Sequence, residues 1–78
     1  MKMQDILADI QALEDELSAF ELRYAIRSED VYAAHIAGEE PKDDAWVMDF
    51  GEWASVYRTW LTRKAEYEGR LAQPPPSP

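Results

Sequence analysis

Apolar side chains recur at Ile6, Ile10, Leu13, Leu17, Phe20 and Tyr24, in alternating steps of four and three residues. That period keeps all six on one face of an α-helix, and the spacing predicts a first long helix over about residues 3–26. A second line with the same steps runs through Trp46, Phe50, Trp53, Tyr57, Trp60, Lys64, Tyr67 and Leu71, with Lys64 as its one polar break. It predicts a last helix over about residues 44–72. Two helices of similar length, each with one apolar stripe to hide, close most simply as an antiparallel hairpin.

Between them, Ser28 reads as an N-cap, with Glu29 and Asp30 at the positive end of the helix dipole. Val31, Tyr32, His35 and Ile36 follow, and Gly38 with Glu40-Pro41 reads as a stop, giving a short helix over about 28–37. The fold class is therefore all-α, with residues 1–73 as one helical domain and PPPSP at 74–78 as a proline-rich tail. The expected core sets Ile6, Ile10, Leu13, Leu17, Phe20 and Tyr24 against Trp53, Tyr57, Trp60 and Tyr67. Asp43 or Asp44 can cap the last helix, while Asp49 with Glu52 offers a second start one turn later. Gly51 costs about 1 kcal/mol inside a helix. It implies either a start near Asp49 or another backbone packed closely against it.

A hairpin of this size covers each long helix along one side only. Leu7, Leu22, Ile26, Val47, Val56 and Leu61 lie beside the two stripes, more apolar surface than a small monomer hides, which points to a partner. Trp46, next to the GEEPKDD linker, is the expected interface anchor. Phe50, Leu61, Leu7, Asp43 and Asp44 complete the expected partner-binding set. The same surplus also suits pairing of two hairpins into a dimeric helical bundle.

The charge selects the partner. The net charge is −8, and residues 1–52 hold fourteen acids against four bases, whereas residues 53–78 hold two against four. Such a field repels phosphate and favours a basic protein, so direct nucleic-acid binding is not expected. Arg58, Arg63, Lys64 and Arg70 are expected to meet Asp5, Asp9, Asp15 and Glu16 across the hairpin. With no cysteine, disulfides and thiolate metal sites are absent. Asp5 and Asp9 interrupt the apolar residues near Met1 and no long apolar run exists, so no membrane association is expected and a cytoplasmic location is.

Catalytic arrangements are thin. His35 and Glu39 are spaced to share a cation, but two ligands without a third rarely make a site. Arg27 with His35 could be imagined as an acid–base pair for RNA cleavage, yet two helical turns and many carboxylates stand against it. Glu39-Glu40 and Asp43-Asp44 read as caps and solubilising charge. There is no glycine-rich phosphate loop and no nucleophile elbow. The expectation is a non-catalytic interaction module without a cofactor.

SEDVY at 28–32, Gly38-Glu39, Asp43-Asp44 and DFGEWASVY at 49–57 together resemble a family of small acidic helical proteins of bacteria and archaea. The pattern spans about half the chain, and the chain departs from it at Gly51 and in the proline tail. The resemblance implies an antitoxin partner in a toxin–antitoxin module, an inhibitor that would mask a basic toxin surface. The alternative from another class is a homodimeric assembly adaptor.

Overall fold

The first helix, α1 (Met3–Tyr24), ends where Ala25 enters the left-handed region at φ 57° and its N–H returns to the Glu21 carbonyl. Non-glycine residues enter that region at a cost of about 1–2 kcal/mol. The resulting turn ends α1 two residues before the boundary expected from its period and redirects the chain into α2 (Ser28–Ile36). A single 3-10 turn over Asp44–Trp46 then leads into α3 (Val47–Ala72). The computed structural model describes residues 2–72, so the tail at 74–78 lies outside the described residues, among which there is no strand.

Cross-helix contacts pair Tyr24 with Asp49, Phe20 with Trp53, Glu14 with Trp60 and Asp9 with Arg63. One number falls as the other rises, which is the register of an antiparallel hairpin. The α2 helix packs mainly on α3, near its N-terminal half.

The centre of the packing is Trp53, whose side chain is fully buried with Leu17 and Val31 around it. Its indole stacks on Phe20 with ring centroids 5.3 Å apart and on Tyr24 at 5.8 Å, and it meets Phe50 edge-on at 5.5 Å. Aromatic pairs at these separations contribute about 0.5–1.5 kcal/mol each beyond their buried area. Burying an indole also strands an N–H, and here Trp53 Nε1 donates to Ser28 Oγ over 2.8 Å. Ser28 is itself buried.

This overturns the reading of Ser28 as an N-cap. The cap position is Arg27, whose side chain makes no capping bond. Ser28 is the first residue of α2, and its hydroxyl faces the core. The Ser28 N–H donates instead to Glu21 Oε2 over 2.9 Å, so α1 supplies the acceptor for the start of α2. That N–H and the adjacent Ser28 hydroxyl hold the Glu21 carboxyl below its ordinary range.

Of the first apolar line, Ile6, Ile10 and Leu17 are buried, and Leu13, Phe20 and Tyr24 are half-buried. On α3, Trp53 and Ala54 are buried, Tyr57, Trp60 and Tyr67 half-buried, and Leu71 exposed. Only part of the expected charge ladder forms. Arg63 reaches Asp9 at 3.5 Å and Glu66 at 2.8 Å, while Lys64 lies over the Trp60 ring at 4.9 Å. Arg58 and Arg70 enter no ion pair among the described residues.

Ser28→Ala should destabilise the chain by about 1–3 kcal/mol by leaving the indole N–H buried without an acceptor. Trp53→Phe removes that donor, so the double variant should lose clearly less than the two single losses added together. Urea unfolding followed by circular dichroism measures all three. Strict additivity would show that the bond contributes nothing.

Candidate functional site

The chain leaves α2 through Gly38, whose φ of 78° is the left-handed conformation that glycine adopts without strain. The Gly38 N–H returns to the His35 carbonyl at 3.1 Å and the Glu39 N–H to the Ala34 carbonyl at 2.9 Å. The crossing ends where Asp43 accepts from the Ala45 N–H at 2.9 Å and opens the 3-10 turn. Asp43, which the sequence offered both as a cap and as a partner-binding residue, takes the capping role here. The early start of the last helix is this 3-10 turn, with α-helical geometry beginning at Val47.

This path leaves a groove of about 350 Å³ between α2, the crossing segment and the first turns of α3. Ile26, Val31, Ala34, Pro41, Val47 and Phe50 give it apolar walls, and Gly51 also lines it. Asp30, Glu39 and Glu40 stand around it, with His35 beside them. None of these three carboxylates enters an ion pair among the described residues. Phe50 joins the groove to the core, since it lines the former and meets Tyr24 at 5.2 Å and Trp53 at 5.5 Å. Trp46 stacks on Phe50 at 6.0 Å and is 41% exposed, so a ladder of rings runs from the buried Trp53 out to the surface.

Gly51 differs from both sequence expectations. The helix begins before Asp49, and a Cβ built on Gly51 meets nothing within 4 Å. No backbone packs against it. The missing side chain leaves space in the groove, and nothing in the fold requires that space.

The expected partner-binding residues divide. Phe50 alone among them lines the groove; Trp46, Asp43 and Asp44 lie next to it at the start of α3, and Leu7 (41% exposed) and Leu61 (37%) also lie outside it. Leu61 is ten residues beyond Gly51, roughly 15 Å along the helix. Among the flanking residues, Ile26 and Val56 pack on the core, while Leu22 stays exposed. Sequence reasoning did not place Asp30, Val31, Ala34, Glu39, Glu40 or Pro41 in a site, and read Glu39-Glu40 as caps and solubilising charge; the helical glycine beside them was the available signal.

Near the groove, the Tyr24 hydroxyl donates to Asp49, which also meets Arg23 at 3.6 Å. That bond raises the Tyr24 phenol above its ordinary range. The imagined Arg27–His35 pair does not assemble: Arg27 is paired with Glu29 at 3.1 Å and lines a separate cleft by Glu14 and Trp60. Among the described residues no three His, Cys, Asp or Glu side chains are placed to hold a metal ion, and no helix is long and apolar enough to cross a membrane.

No family model, curated protein or solved structure matches this chain. The resemblance noted from the sequence thus rests on its motifs alone.

Because the Gly51 Cβ position is open, Gly51→Ala should stabilise the chain by about 1 kcal/mol through helix propensity. In a domain of this size that corresponds to roughly 4–8 °C in Tm. A thermal melt checks this, and a lower Tm would show that something fills the space in the free protein.

Proposed function

We propose that this chain is a non-catalytic interaction module that docks on a basic protein surface, most concretely as an antitoxin-like inhibitor. The observation that carries this reading is the α2–α3 groove, where apolar walls and three carboxylates outside any described ion pair occur together. Apolar walls alone would fit many ligands. The carboxylates, on a chain of net charge −8, select a cationic one.

The mechanism is occlusion. Proteins that cut or modify RNA present cationic sites to bind phosphate, and an acidic helical face competes with the nucleic acid for them. The long-range field accelerates encounter, while the groove and the exposed Trp46 supply short-range contact that slows dissociation. The motif resemblance points the same way, and a cytoplasmic site of action follows from this role. A homodimeric adaptor is less favoured, because it would bring two strongly acidic chains together without basic residues at the groove to offset them.

Co-expression with the product of the adjacent gene tests the reading. A stable complex, together with rescue of growth from that product's toxicity, is the expected outcome. No complex and no rescue would overturn it.

A further inference from the structure

We propose that the α2–α3 groove receives a basic amphipathic helix from the partner, with an aliphatic side chain seated over Gly51 and Lys or Arg side chains reaching Asp30, Glu39 and Glu40. This inference rests on the interaction reading above and specifies its contact.

Three observations carry it. The first is Gly51 itself, placed inside a helix where glycine costs about 1 kcal/mol and where the free chain leaves the Cβ position empty. A ligand side chain occupying that space supplies the missing reason for the glycine. The second is size. A cavity of roughly 150 Å³ holds a benzene-sized group, so the groove of about 350 Å³ admits approximately two aliphatic side chains. Its α2 wall runs from Asp30 to His35, roughly 9 Å, enough for anchors one helical turn apart. The third is charge, since all three carboxylates stand around the same opening and call for cations next to the anchors.

The occupant's secondary structure follows from the walls. Two are helices whose backbone groups bond internally and the third, the crossing segment, is not a strand, so an extended peptide would find no sheet edge to pair with. A helical occupant satisfies its own backbone and needs only side-chain contacts.

The probe is a synthetic helical peptide of leucine and lysine, with leucines spaced three and four residues apart, titrated into the ¹⁵N-labelled full chain. A matched peptide with glutamate in place of lysine is the control. The expected result is saturable shifts at the amides of Val31, Ala34 and Gly51 with the lysine peptide only. Gly51→Leu fills the groove and should weaken binding at least tenfold without lowering Tm, which separates a blocked site from a damaged fold. The combined Asp30→Asn, Glu39→Gln and Glu40→Gln variant should weaken binding and flatten its salt dependence.

Binding by Gly51→Leu within twofold of the parent would overturn the proposal. So would shifts confined to the cleft around Glu14 and Glu29, or no saturable binding. Each of those results leaves the broader reading standing if the adjacent gene product still forms its complex. Loss of that complex overturns the broader reading instead.

Discussion

A buried indole that must find an acceptor organises this small chain. Trp53 is fully enclosed, and Ser28, twenty-five residues earlier, accepts its N–H. The bond is one contact, yet it joins the last helix to the start of the middle one, while Glu21 of the first helix receives the Ser28 N–H. All three helices therefore meet at one serine. Stacking of Phe20 and Tyr24 on the same ring adds apolar contact around that polar junction. A protein of this length buries a modest fraction of its surface, so concentrating the large rings at one junction matters more than it would in a larger domain.

The junction also accounts for the groove. With the first turn of α2 held against Trp53, the rest of α2 runs beside the early turns of α3. The crossing segment from Gly38 to Asp43 bridges them, and its Glu39 and Glu40 come to stand at the opening. Rings on the buried side of Phe50 and an open helical glycine on the other give the start of α3 a packed face and an unfilled one. The packed core and the open groove thus meet along a few residues of one helix.

Much of the fold was legible because a period of alternating three and four residues is a local property. The long helices and their antiparallel return follow from it, while the short helix between them was bounded by the acids at Glu29 and Asp30 and by Gly38 and Pro41. The role of Ser28 was not legible, because a serine before two acids looks like a cap whether its hydroxyl serves its own helix or a distant indole. The early end of α1 depends on a left-handed alanine, a residue type that carries no signal for that conformation. The charge ladder was partly legible: Arg63 found Asp9, but Lys64 settled over Trp60, where a cation gains from the ring face as well. For the site, Trp46 and Phe50 were visible as aromatic residues at the right end of the chain. The groove itself was not, since its walls come from three separate segments and its key feature is a side chain that is absent.

Hydrogen exchange of the three indole N–H groups, followed by NMR, tests the central claim most directly. Trp53, buried and bound to Ser28, should exchange only with global unfolding. Trp46, exposed, and Trp60, whose N–H reaches Glu14 at the surface, should exchange orders of magnitude faster. Three indoles exchanging at similar rates would contradict the account, because the junction that positions α2 and opens the groove would not exist.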